Sequence, residues 1–285
     1  MKKSCVIFSC TILSEDRLSA LHEFLTEFKK DFFDCDFFIG INPHSVLSVE
    51  EVIRDYRLNI VSISRAAHEL YSNSDASAYQ IALKCLRDSG NQYETCWFVH
   101  TKGAVNNHSD YLRTWYINNF LSNKLNVEQF LSENKGIGSY GMLSLAYDFN
   151  KVYQEKDTEI QLFQNVITKE LPYTHAHYFY IHSIYAIKGH IVDSFFRLIN
   201  DSWFVTKLDR YYFEGIFPFI VSRLGYFPYV SNGLDMDGKS LPLLNNAWLT
   251  DNNLLNKHSE YIHLHKTNYN FNQLNPPYVN SNTQS

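Results

Sequence analysis

The sequence predicts an α/β fold with a Rossmann-like layered sheet, and three observations carry the prediction. Short apolar runs of strand length recur through the first hundred residues. Segments of helical periodicity, each opened by a capping residue, separate them. The 285 residues, 45% hydrophobic and 19% charged, suffice for the core of one large domain and match neither a disordered nor a fibrous chain.

The elements follow in order. Residues 5–9 (CVIFS) form a first apolar run of the kind buried on both faces of a parallel sheet. Ser14 then caps a helical stripe through Leu18, Leu21, Phe24, Leu25 and Phe28. The run at 37–41 predicts a second strand, and Ser48 with Glu51 three positions on predicts a capping box for a short helix to Tyr56. A third strand is expected over 59–63. Ser74 is expected to cap a helix bearing Tyr79, Leu83 and Leu86 on one face, and 95–100 (TCWFVH) reads as the fourth strand. Further on, 110–121 and 127–133 read as helices, 136–141 as a flexible turn, and 178–187 as strand-like. Helices are expected again at 190–199 and 211–224, the last stopped by Gly225. Strands joined through helices require right-handed crossovers, and ligands then bind where the strands end at their carboxyl edge. The loops expected to matter are 9–14, 42–44, 64–75 and 100–107.

Composition excludes several classes. With 25 basic against 30 acidic residues the net charge is −5, too acidic for a broad nucleic-acid-binding face. Five cysteines without a CxxC pair argue against a disulfide framework or a thiolate metal cluster, and fit reduced cytosolic thiols. The lysines at 2 and 3 ahead of an apolar run imitate a signal peptide, but Glu15, Asp16 and Arg17 cut the run short. No segment approaches the ~20 apolar residues of a membrane span. Neither a GxGxxG nor a GxxxxGK[ST] motif occurs. The aromatic content of 16%, with 21 Phe and 20 Tyr, is mostly core, although tyrosine also suits sugar and nucleobase sites.

The most informative stretch is Trp97-Phe98-Val99-His100-Thr101-Lys102-Gly103-Ala104, where a buried strand delivers His, Thr and Lys into a loop and Gly103 permits close backbone approach. Together with 71–84 (YSNSDASAYQIALK), it resembles bacterial GT-A glycosyltransferases of surface-polysaccharide assembly, including the rhamnan-synthesis type with an HTK motif here. The resemblance covers about the first 120 residues. It implies a GT-A-like mixed sheet flanked by helices, with a helical, aromatic-rich C-terminal acceptor region. It implies one domain over 1–274, divided into a nucleotide-sugar-binding half (1–121) and an acceptor half (122–274), with 275–285 a disordered tail. In that class the fourth strand ends in Asp-x-Asp, whose carboxylates hold a metal against the donor diphosphate. Here His100-Thr101-Lys102 occupies that place. Lys102 then supplies the fixed positive charge that a breaking glycosidic bond requires, with His100 or Thr101 donating a hydrogen bond.

Other residues complete the expected site. The donor is expected by Thr11, Asp75, Thr101, Lys102 and Gly103, with His265 and Lys266, from the alternating segment 261–266, closing over its diphosphate. Glu214, among Tyr211, Tyr212, Phe213 and Phe217, is the expected proton acceptor for the acceptor hydroxyl, with Asp209 in reserve. Asp34-Cys35-Asp36 spells DxD but precedes the second strand and reads as a turn. Asp235 and Asp237 form the weak alternative metal pair, for Mg²⁺ or Mn²⁺, in a reading that otherwise requires no cofactor. The resulting expectation is a glycosyltransferase that moves a sugar from a nucleotide-sugar donor to an oligosaccharide or lipid-linked glycan acceptor in the cytoplasm, in peripheral contact with the inner face of the plasma membrane. The alternative is a non-catalytic nucleotide- or glycan-binding protein on the same fold, and neither reading involves nucleic acid.

Overall fold

The computed structural model describes residues 2–69, 74–101, 110–141, 144–146, 178–180, 183–208 and 212–230. They form an α/β structure with a mixed sheet flanked by helices. The chain divides into two compact units, one formed by residues 1–128 and 182–213, the other by 129–181 and 214–285. The units are thus not successive halves: the segment after 181 returns to the first.

In the first unit, β1 (Lys2–Cys10), β2 (Asp36–Ile41), β3 (Ile60–Arg65) and β4 (Tyr93–His100) run parallel, and β8 (Tyr185–Lys188) lies antiparallel beside β4. Their order is β3-β2-β1-β4-β8. The helices are α1 (Leu18–Asp31), α2 (Val49–Asp55), α3 (Ala76–Ser89), α4 (Asp110–Asn119), α5 (Lys124–Glu133) and α6 (Gly189–Leu198). From β1 the chain steps outward through β2 to β3, then crosses back over β1 to β4. Right-handed crossovers place the helix of a reversed step on the opposite face, and α1 and α3 do cover opposite faces. Phe8 of β1 meets Phe28 of α1 edge-on at 5.1 Å, and Phe32, just past α1, meets Trp97 at 5.1 Å. On the other face Tyr79 of α3 packs 5.8 Å from Phe98, which stacks on Tyr185 at 4.9 Å.

Strand register decides which side chains share each face. Ser9 lies opposite Gly40 on one side and His100 on the other, and Gly40 opposite Ser64, so Ser64, Gly40, Ser9 and His100 form one row under α3. At Gly40 a Cβ would stand 1.8 Å from the carbonyl oxygen of Ala78. Glycine is required there by close approach of the helix.

The amino edge of the sheet is closed by a buried polar network. Lys124, 1% exposed, donates to Asp34 at 3.0 Å and Glu128 at 3.2 Å, and Glu128 also accepts from Ser4 and Trp97. Asp36 accepts from Tyr93 Oη at 2.6 Å and from Asn59. Asp34 and Asp36 therefore stand at the edge opposite the expected ligand loops.

In the second unit β5 (Ile137–Gly141) pairs in parallel with β9 (Phe227–Val230), and β6 (Ser144–Ala146) antiparallel with β7 (Tyr178–Tyr180). The expected turn at 136–141 is thus a strand: Ile137, Gly138 and Ser139 are buried, and the neighbouring strand supplies the partners that glycine's weak strand propensity does not. Phe130, Tyr140 and Tyr229 cluster with ring centres 4.5–5.4 Å apart. Helix α7 (Tyr212–Arg223) ends before Gly225, whose φ of 83° suits glycine.

All three expected caps differ from the structure. Ser14 stands before a 3₁₀ turn (Glu15–Arg17) and makes no side-chain capping bond, and the residue that precedes α1 is Arg17. Ser48 has helical backbone angles and its hydroxyl donates to Glu15 at 2.8 Å, so no capping box forms. At α3 the capping residue is Asp75, one later than expected, while Ser74 Oγ accepts from the Ala76 N–H at 3.2 Å. Among the described residues no helix is long and apolar enough to cross a membrane.

Candidate functional site at the switch point of the sheet

Between β1 and β4 the strand order changes direction, and at such a switch point the adjoining loops leave the sheet on opposite faces and open a crevice at its carboxyl edge. Here that edge is tied together by side chains. Thr101, directly after β4, accepts the Thr11 N–H on its Oγ1 at 2.8 Å and donates back to the Thr11 carbonyl at 3.1 Å. Its own N–H reaches the Ser9 carbonyl at 3.1 Å.

The start of α3 is drawn onto the same edge. Ser9 Oγ donates to the Asp75 carbonyl at 2.9 Å, Thr11 Oγ1 to the Ser74 carbonyl at 3.0 Å, and Asn42 Nδ2 to that same carbonyl at 2.6 Å. Asn42 is set in turn by the loop after β2. Its Oδ1 accepts the His44 N–H at 2.8 Å, and Arg65 at the end of β3 donates to the Asn42, Ser45 and Val46 carbonyls at 3.3, 2.7 and 3.2 Å. A guanidinium with five donors suits this fan of carbonyls. The described starts of these loops are thereby held by the fold's own hydrogen bonds, which is how rigid elements preorganise a site.

Within this frame His100 and Asp75 meet. His100 Nδ1 lies 2.9 Å from Asp75 Oδ2, and the two side chains are only 14% and 12% exposed. In the neutral ring an ionised carboxylate at this distance accepts from Nδ1–H and leaves the lone pair on Nε2. Nε2 is buried and has no hydrogen-bond partner among the described residues. The ring also lies 6.5 Å from that of Tyr79, whose hydroxyl donates to the Ser183 carbonyl at 2.8 Å.

A charged cluster stands where the chain re-enters the described residues after the fourth-strand loop. Asp110 opens α4 and receives Arg17 at 2.6 Å and Arg113 at 2.8 Å, while Arg113 also grips Glu23 with two contacts of 2.9 Å. Arg113, then Arg17, hold the Asp110 carboxyl below the usual range.

Of the residues expected from sequence, the structure brings Thr11, Asp75, His100 and Thr101 to one sheet edge. Thr11 and Thr101 are buried; the Thr101 hydroxyl is engaged with the Thr11 backbone and the Thr11 hydroxyl with the Ser74 carbonyl ahead of α3, so both hold the edge together. Lys102, Gly103, Asp209, Asp235, Asp237, His265 and Lys266 lie outside the described residues, as does the side chain of Glu214, whose backbone falls in the first turn of α7. Among the described residues no three His, Cys, Asp or Glu side chains gather as a metal site would need.

Sequence reading missed Ser9, Asn42 and Arg65 as supports and did not pair Asp75 with His100. The available signal was their common position at strand ends. Scans against protein-family models, curated proteins and solved structures return no match for this chain.

Proposed function

We propose that the chain transfers a sugar from a nucleotide-sugar donor to a glycan acceptor of the bacterial surface, with the donor seated at the switch point between β1 and β4. The observation that carries this reading is that His100 and Thr101, the first two residues of the His-Thr-Lys-Gly stretch, end a central strand at the switch point, beside the carboxylate of Asp75. That is where open α/β sheets hold nucleotides. The chemistry fits the motif. When the bond from the anomeric carbon to the diphosphate breaks, negative charge collects on the leaving oxygen. The ammonium of Lys102, two residues past the strand end, offsets it where a carboxylate-bound metal would otherwise do so.

The test is turnover of a panel of UDP-, GDP-, CMP- and dTDP-sugars with EDTA or with Mn²⁺, beside thermal stabilisation by each donor. One donor is expected to stabilise the protein and to be consumed in EDTA, and Lys102→Ala to abolish consumption. A donor that binds yet stays intact with and without Mn²⁺ would show a binding protein instead.

A further inference from the structure

The geometry points to His100 as the group that takes the proton from the acceptor hydroxyl, with Asp75 as its positioning residue. The inference rests on the transferase reading above and replaces two expectations, that His100 donates a hydrogen bond to the diphosphate and that Glu214 takes the acceptor proton. Asp75 occupies Nδ1 at 2.9 Å, so the free position of the neutral ring is a lone pair on Nε2, which accepts a proton and cannot donate one. Nε2 is buried and has no partner among the described residues, and leaving a buried polar atom unsatisfied is costly. An arriving hydroxyl relieves that cost by donating to it.

The supports of the pair bear on both its members. Ser9 stands beside His100 in the sheet and donates to the backbone of Asp75, so one β1 residue ties the strand carrying the imidazole to the helix start carrying the carboxylate. Among the described residues, the ionisable side chains against the ring are Asp75 and Tyr79, both from the amino end of α3, and the Tyr79 hydroxyl is engaged with Ser183. Asp75 is thus the counter-charge for the imidazolium that forms.

The step balances as a single displacement. The acceptor oxygen bonds to the anomeric carbon, and the bond from that carbon to the diphosphate oxygen breaks, its electron pair leaving with the nucleoside diphosphate. The hydroxyl proton moves to Nε2, giving an imidazolium paired with the Asp75 carboxylate. The anomeric configuration of the product is inverted.

Two variants and one spectrum test this in the full chain. His100→Asn keeps an N–H near the Nδ1 position for Asp75 but has no counterpart of Nε2. It is expected to keep the thermal stabilisation by donor and to lose about 10²–10⁴-fold in turnover, the range for removing a general base. Asp75→Asn is expected to lower kcat with the donor KM unchanged, because the carboxylate that fixes the ring's tautomer is gone, whereas a merely structural role would move both. Long-range ¹H–¹⁵N correlation is expected to show His100 protonated on Nδ1 and bare on Nε2 at neutral pH. Unchanged turnover in His100→Asn, an unchanged kcat in Asp75→Asn, retained anomeric configuration, or a proton on Nε2 would each overturn this inference while leaving the transferase reading intact. A wild-type chain that consumes no donor would overturn both.

Discussion

Replacing Gly40 with alanine tests whether the approach of α3 to the sheet builds the site. An ideal Cβ at Gly40 lies 1.8 Å from the Ala78 carbonyl oxygen, 2.6 Å from its carbon and 2.9 Å from Ile81 Cγ2. The first two obstacles are backbone, so α3 must retreat by roughly 1.2 Å to restore even a 3.0 Å contact. A retreat of that size breaks the bonds from Ser9, Thr11 and Asn42 to the Ser74 and Asp75 carbonyls, now 2.6–3.0 Å long, each worth about 0.5–1.5 kcal/mol. Overpacking adds about 1–3 kcal/mol. The expected loss is about 3–5 kcal/mol, or a fall in Tm of roughly 10 °C, measured by urea and thermal unfolding. Two controls separate the causes. Gly90→Ala meets nothing within 4 Å but sits at φ 66°, so it should cost only about 1 kcal/mol. In Gly189→Ala a Cβ would lie 1.9 Å from the Tyr93 carbonyl at the far edge of the sheet, so it should cost as much as Gly40→Ala yet leave the His100–Asp75 pairing intact in the ¹⁵N spectrum. A Gly40→Ala protein within about 1 kcal/mol of wild type, or one no worse than Gly90→Ala, would refute the close-approach argument.

Two further predictions concern groups away from the site. Burial, then a hydrogen bond with Asp31, raises the Glu27 carboxyl from 4.5 to about 7; the folded chain binds that proton more tightly than the unfolded one, so this group favours folding at low pH and loses its contribution as pH rises from about 4.5 to about 7. Glu27→Gln should therefore be more stable than wild type by about 1–3 kcal/mol at pH 8 and equal to it at pH 4 in urea unfolding, and the same difference at both pH values would refute the assignment. Cys5, Cys10, Cys35 and Cys96 are buried, and burial pushes the first three thiols up, whereas Cys85 is half-buried. A thiol-reactive dye should label one cysteine per native chain, lose that signal in Cys85→Ser, and reach the other four only after denaturation; rapid native labelling of any of those four would count against the packing of the sheet.

The alternation of strands and helices over the first hundred residues is legible in the local pattern of side chains. Runs such as 37–41 are apolar throughout because both faces of a parallel strand are covered, and that signal is local. It located the four parallel strands within a few residues and, with them, the loops at their carboxyl ends, so Thr11, Asp75, His100 and Thr101 could be singled out. The turn at 136–141 was misread because glycine carries no local preference for a strand, and only pairing with β9 makes it one. Which strands neighbour which, and in what register, was decided by tertiary structure alone. Ser64, Gly40, Ser9 and His100 stand 24, 31 and 91 positions apart along the chain, and nothing in their spacing announces that they form one row beneath α3. That row sets the height of the helix, and the height brings the Asp75 carboxylate to within 2.9 Å of the His100 ring. A residue's type is written locally; its partner depends on which surfaces are buried together, and that is a property of the whole folded chain.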